Sequence, residues 1–420
     1  MIENPERFLR SLFDCAVKVA DPMRSLAAHL PQRPSGRVVV VGAGKASARM
    51  AEAVEAAWGP CEGLVITRYG YARPCRGIEI VQASHPVPDM AGQLATERML
   101  GLLTGVGKDD FVLALISGGA SALLVAPCHG VTLAEKQVVN AALLASGAPI
   151  DKMNTVRKHL SLVKGGQLAA AAHPARMLAL LISDVPGDNP AFIGSGPTVG
   201  ETSTPNDALA VLGRWQINVP ASVRRAFGRA SSVVPPGDPR LSRVENHIFA
   251  APSQSLAAAA QMARAAGCAV QMSGDALEGE ARLVAANHAD QALRIKASLC
   301  AGDAPVLLLS GGELTVTKRG AGIGGPNAEY CLALAIALQS EAGIYGLACD
   351  TDGIDGAADV AGAVVLPSTL HAAQTAGLDP EAYLARNDAH SFFKAINNQV
   401  VTGPTLTNVN DFRALLICPR

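Results

Sequence analysis

Short aliphatic and β-branched runs recur along this chain, and most break into a glycine-bearing loop that leads to a helical stretch. Val38 to Val41 is apolar at every position, as a strand covered on both faces of a parallel sheet must be. It enters Gly42-Ala-Gly-Lys-Ala46 and then Ser47 to Trp58, an alanine-rich helix. Similar runs follow at Gly63–Thr67, Ile78–Val81, Asp110–Ile116 and Leu178–Ile182, and again at His247–Ala251, Ala269–Met272, Val306–Leu309 and Arg413–Ile417. Alternation of this kind predicts layered α/β structure. A chain of 420 residues is too long for one ordinary core. The proline-rich run Ser231 to Pro239 is the best linker, so two α/β domains are expected, 1–236 and 237–420.

Bulk chemistry narrows the partners. The net charge is −1, and the aromatics are nine Phe, five Tyr and two Trp. A nucleic-acid surface needs basic patches and stacking rings, so that class is disfavoured. The longest apolar runs, such as Cys331 to Leu338, fall short of the roughly 20 residues that span a bilayer. Phe8, Leu9, Leu12, Phe13, Ala16 and Val17 follow helical spacing, and charges at Glu3, Glu6, Arg7 and Arg10 leave no apolar signal core. Nine cysteines stand singly, which suits reduced thiols in a cytoplasmic protein. A homodimer stays open.

The chemistry concentrates in the loops. Ile344 to Asp350 feeds Asp350-Thr-Asp-Gly-Ile-Asp-Gly356, carboxylates on flexible backbone at a strand's carboxyl end, where open α/β sheets bind ligands. Clustered acids of this kind want a cation, and magnesium with substrate phosphates is the usual one; the same residues also suit tight turns. Gly42 to Lys45 reads as an anion loop at a helix start, with Lys45 as a point charge. The loop fails the Walker pattern and gives an imperfect dinucleotide fingerprint, G-x-G-x-x-S. Arg68, ending the next strand, would suit a 2′-phosphate, so an NADPH-dependent reductase is a second reading. Ser84-His-Pro-Val-Pro-Asp89 is a stiff polar turn. Ser117-Gly-Gly-Ala-Ser121 lets amides approach a ligand, and its S-G-G recurs at Ser310-Gly-Gly-Glu313, as if two halves shared one turn. Asn154 to Ser161 mixes cations and hydroxyls, and Ser183 to Pro190 is a second acidic strand end.

These phrases together resemble the glycerate 2-kinases of the MOFRL type, some of which carry hydroxypyruvate reductase names. The matching stretches are VGAGKASARMA, ASHPVPD, LISGGASALL, NTVRKHLSLVKGGQLA, LISDVPGDNPAFIGSGPTV, LLSGGELTV, DTDGIDGAADVAGA and TGPTLTNVNDFRALLI, from about Val38 to Ile417. The resemblance implies a larger Rossmann-like α/β/α sandwich and a second α/β domain, with the active site in the cleft between them. It implies transfer of the ATP γ-phosphate to the 2-hydroxyl of D-glycerate with Mg2+, and it assigns Lys45 and Asp352 to the catalytic centre. One position departs: relatives often read G-G-R-N where this chain has Gly324-Gly-Pro-Asn327. Arg157, Lys158, Arg319 and Arg282 are the candidates to supply the missing cation.

Phosphoryl transfer is mostly positioning and charge neutralisation. The expected set is therefore Gly42, Gly44, Lys45, Ser117, Gly118, Gly119 and Ser121 for phosphate, Asp352 for the acceptor hydroxyl, Arg157 or Lys158 for the substrate carboxylate, and Asp188 and Asp355 for metal.

Overall fold

The computed structural model describes residues 2–356 and 358–419, which fall into two compact units. One comprises residues 22–184 and 188–249, the other residues 2–21, 185–187 and 250–419.

The first unit is built on β1 (Val38–Ala43), β2 (Glu62–Arg68), β3 (Ile78–Ala83), β4 (Phe111–Ile116), β5 (Arg176–Ile182) and β6 (Val244–Ala250), in the order β3-β2-β1-β4-β5-β6. The pairings among β1 to β5 are all parallel. Every residue of β1 and β4 is buried, because central strands of such a sheet are covered on both faces. The strand order reverses between β1 and β4, the position where doubly wound sheets bind ligands. The helix Ser47–Trp58 has the expected bounds. Helices Met90–Leu103 and Leu133–Ala145, which apolar spacing did not announce, start at side-chain caps: Asp89 accepts from Gly92 N, and Thr132 and Glu135 form a capping box. A helical cluster around Val139, Leu143, Val156, Leu160, Leu212 and Phe227 completes the unit.

The second unit holds β7 (Ala269–Met272), β8 (Gly279–Glu280), β9 (Val306–Ser310), β10 (Leu314–Thr315), β11 (Ile344–Asp350), β12 (Gly362–Val365), β13 (Gln399–Val400) and β14 (Asp411–Ile417). Six make a mixed sheet, β13-β12-β11-β14-β9-β7, in which only β7 and β9 run parallel. Alternation along β9 and β14 sorts side chains to two faces: Leu308, Leu415 and Ile417 meet helices Ala281–Ser298 and Pro326–Leu338, while Leu307, Leu309, Phe412 and Leu416 meet helices Pro5–Ala20 and Pro252–Ala265.

Two expectations about organisation change. The first helix is amphipathic as its spacing predicts, but Leu9, Leu12, Phe13 and Ala16 pack with Leu256, Ala259 and Phe412, so it belongs to the second unit. The proline-rich run does not link domains: Val234 is buried, its N–H donates to Gly165 O at 3.0 Å and its carbonyl accepts from Glu201 N at 2.8 Å, all inside the first unit. Pro252 opens the helix Pro252–Ala265 behind Ala251, and the two-residue β10 pairs with β8.

Candidate active site

In the first unit the loops after β1 and β4 are packed into each other. Gly42 pairs within the sheet with Val65 and Leu115. A Cβ at Gly44 (φ 145°) would lie 2.1 Å from Ser117 Oγ, which makes this glycine a condition of the close approach. The loop amides are spent internally: Gly44 N donates to Ile66 O at 3.1 Å, Lys45 N to Gly118 O at 2.8 Å and Ala46 N to Ser117 Oγ at 3.0 Å. This corrects two expectations. Gly42 to Lys45 offers no amide cradle, either for phosphate or for a dinucleotide pyrophosphate. Ser117, fully buried, uses its hydroxyl to bind the β1 loop rather than a ligand.

The open turn is the next one. Gly119 has φ 82°, and a Cβ there would meet Lys45 Cγ and His85 Cδ2 at 3.1 Å and His85 Nε2 at 3.2 Å. The Lys45 stem and the His85 ring thus lie over the Gly118-Gly119 turn, whose two amides make no hydrogen bond with any described residue. Ser121 follows at 2.8 Å from Ser195 Oγ, which reaches Asn154 Oδ1 at 3.1 Å. Five stretches that the sequence singled out, around Lys45, His85, Ser121, Asn154 and Ser195, therefore meet at the carboxyl ends of β1, β3, β4 and β5.

Adjacent cations on the helix Ile150–His159 have different fates. Lys158 is 2% exposed and is held in an ion pair by Glu201, which removes it as a carboxylate receptor. Burial opposes ionisation of Glu201, but the Lys158 hydrogen bond brings its pKa below the usual carboxylate range. Arg157 makes no hydrogen bond or ion pair with any described residue, and burial lowers its pKa. Asp188, with φ 52°, is half-buried in the loop after β5.

In the second unit β11 delivers the aspartate loop. Asp352 is 1% exposed, its Oδ1 accepts from Ile354 N at 2.8 Å, and its carbonyl accepts from Thr405 N at 3.1 Å. Thr351 ties the same loop to the chain before β14: its Oγ1 donates to Asn410 O at 2.6 Å and accepts from Val409 N at 2.9 Å. Asp355 is not an open metal ligand. Its oxygens accept from Asn327 N at 2.9 Å and Ala328 N at 2.8 Å at the start of helix Pro326–Leu338, and His390 Nε2 sits 3.2 Å away. Pro326, where the resemblance leads one to expect arginine, is simply the first residue of that helix, a position proline suits. Of the four proposed replacements, Arg282 is bonded to Glu329 and Leu384 O and Lys158 to Glu201. Arg157 and exposed Arg319 are left.

Sequence reasoning missed the roles of Glu201, Asp411 and Arg413. Arg413, fully buried, donates to Asp411 Oδ2 at 2.9 Å and to Gly311 O; Asp411 Oδ1 accepts from Asn327 Nδ2 at 2.6 Å. Burial pushes the Asp411 carboxyl up, against the pull of Arg413. An arginine inside the apolar run Phe412–Ile417 was the available signal. Among the described residues no group of three or more His, Cys, Asp or Glu side chains could hold a metal ion, and no helix is long and apolar enough to cross a membrane.

Comparison with known proteins bears on the whole chain. Residues 8–228 match a domain of unknown function (DUF4147), and residues 306–411 match the MOFRL family. The chain is 51% identical over 420 residues to a protein of Agrobacterium vitis with a provisional hydroxypyruvate reductase name, covering 99% of this chain and 95% of that one. It is 39% identical over 399 residues to a D-glycerate 2-kinase of Thermotoga maritima, covering 94% of each. The crystal structure of a Thermotoga maritima glycerate kinase matches with a TM-score of 0.86 at 37% identity, over 98% of this chain and 99% of that one.

Proposed function

This chain belongs to the family of MOFRL-containing glycerate kinases, and from that premise we propose that it transfers the γ-phosphoryl group of ATP to the 2-hydroxyl of D-glycerate. The observation that carries the reading is the open Gly118-Gly119 turn under Lys45 and His85. Two free amides and a lysine stem at a strand-end switch point make a receptor for phosphate oxygens, because main-chain N–H groups and an ammonium both complement spread negative charge. The closed amides of Gly44, Lys45 and Ala46 weigh against the reductase reading, which needs that loop for a pyrophosphate.

In this mechanism Lys45 and the Gly118 and Gly119 amides hold the transferring phosphoryl group, and Ser121 orders the turn through Ser195 and Asn154. Asp352 orients the acceptor hydroxyl and takes its proton, held at Oδ1 by the Ile354 amide. Magnesium, when bound, supplies charge neutralisation of the phosphates. It is commonly held by one or two carboxylates plus substrate oxygens, so Asp188 suits it, whereas Asp355 is already filled by helix amides.

Incubation with D-glycerate and ATP-magnesium should release ADP, and phosphorus NMR should identify the 2-phosphate. NADPH oxidation by hydroxypyruvate without ADP release from glycerate would overturn the reading, and a 3-phosphate product would overturn the regiochemistry.

A further inference from the structure

Four cations gather in the first unit around the helix Ile150–His159: Lys136 from the preceding helix, Arg157 and Lys158, and Lys164 from the turn that follows. One carboxylate, Glu201, answers them, and it is bonded to Lys158. Lys136 is 2% exposed and Lys164 is fully buried. Each sends its ammonium to one main-chain carbonyl, Lys136 Nζ to Leu160 O and Lys164 Nζ to Leu124 O, both at 3.0 Å. An ammonium has three donors, so each has donors to spare. Arg157 has five and uses none on a described residue. Its nitrogens are absent from the fully enclosed, unsatisfied side-chain atoms, so solvent still reaches them.

A simpler account is that basic residues offset the dipole at the helix's carboxyl end, where Arg157, Lys158 and His159 all fall. That effect is small, falls off within the last turn and gives no reason to bury the charges. Leaving ions desolvated without a counter-charge is costly. Burial lowers the Lys136 ammonium to about 8 and Lys164 well below its ordinary value, with Arg157 adding repulsion to both. Among the described residues no second acid is bonded to this basic cluster.

We infer that Arg157, backed by Lys136 and Lys164, forms a subsite for a small oxyanion, and that the oxyanion is the carboxylate of the acceptor hydroxy acid. Position supports this. Asn154 lies one helical turn before Arg157 and holds Ser195, which holds Ser121, two residues beyond Gly119. The guanidinium is a planar fork that takes a carboxylate through two parallel hydrogen bonds. This inference rests on the kinase reading for the identity of the ligand, though not for the existence of the subsite.

The test is calorimetric binding to the full-length protein without nucleotide, using D-glycerate, inorganic phosphate and glycerol as separate probes. D-glycerate should bind and glycerol, which lacks the carboxylate, should not. Arg157→Gln should weaken D-glycerate binding about tenfold to a hundredfold, the loss expected of a charged hydrogen-bonded pair. Arg157→Lys should recover part of it, and circular dichroism should report both variants folded. Arg157-dependent binding of phosphate but not of D-glycerate would keep the subsite and overturn the carboxylate assignment. Binding of both oxyanions to folded Arg157→Gln within twofold of wild type would overturn the subsite, as would failure of both to bind wild type. Normal phosphorylation with an unchanged KM in Arg157→Gln would sink the subsite while leaving the kinase reading intact. Arg157-dependent D-glycerate binding without ATP-dependent turnover would do the reverse.

Discussion

The chain contains the letters S-G-G twice at the end of a strand, and the two turns are used in opposite ways. After β4, Gly118 and Gly119 keep their amides open, with Lys45 and His85 above them. After β9, the turn is filled by protein. A Cβ at Gly312 would lie 2.2 Å from Leu277 N, Gly311 N donates to Gly274 O at 2.8 Å, Gly312 O accepts from Asp411 N at 3.3 Å, and Arg413 donates to Gly311 O. Glycine pairs license close approach, and what approaches decides the role. In the first unit the approaching group can be a ligand; in the second it is the buried arginine of β14.

The comparison yields experiments of graded size. Asp352→Asn should lower turnover by about 10²–10⁴-fold with nucleotide binding kept, since a placed base contributes in that range; steady-state kinetics with turnover within a few fold of wild type would remove the base. Next come the two cations. Lys45→Ala should cut kcat/KM by about 10²–10³-fold with an unchanged melting temperature. Arg413→Met should instead lose about 3–5 kcal/mol in urea unfolding, because Asp411 would remain buried without its partner. If Lys45→Ala destabilised and Arg413→Met only slowed the reaction, the contrast would be inverted.

Arg413 also reaches a buried histidine. Burial and then the Arg413 charge lower His288 to about 4, and its Nδ1 lies within hydrogen-bond distance of Tyr330 Oη, at 2.7 Å. The neutral form is the folded one, so between pH 6.5 and about 4 the unfolded chain binds the extra proton. Stability should fall through that window as pH drops, by about 3 kcal/mol at most. His288→Gln should flatten that part of the profile, as measured by urea unfolding at several pH values. The smallest effect separates the glycines themselves. Gly312→Ala should cost at least about 1–2 kcal/mol of stability, since strain and overlap coincide there. Gly119→Ala should cost less stability but raise the KM for ATP, because its Cβ would intrude beneath Lys45 and His85.

What the sequence could convey follows from the range of the forces involved. The strand Val38–Ala43 and the helix Ser47–Trp58 were legible because burial on both faces leaves an unbroken apolar run and an alanine-rich stretch favours helix. The two-unit α/β plan followed from repeating them. Lys158 and Arg157 could not be told apart, since the partner that claims one of them, Glu201, lies 43 residues away. Asp355 looked like its neighbour Asp352 until its acceptors met a helix start 28 residues earlier in the chain. Ser117 and Gly119 carried equal promise in a single motif, and only the packing of the β1 loop separates the closed end from the open one.

The placement of the first helix sets a condition on how this protein is made. Pro5–Ala20 is synthesised long before the segments it packs against: Ser255 Oγ reaches Ala16 O across 239 residues and Thr407 Oγ1 reaches Ala20 O across 387. Until helix Pro252–Ala265 and β14 have been made, the apolar stripe of that helix has no companion and stays open to other apolar surfaces.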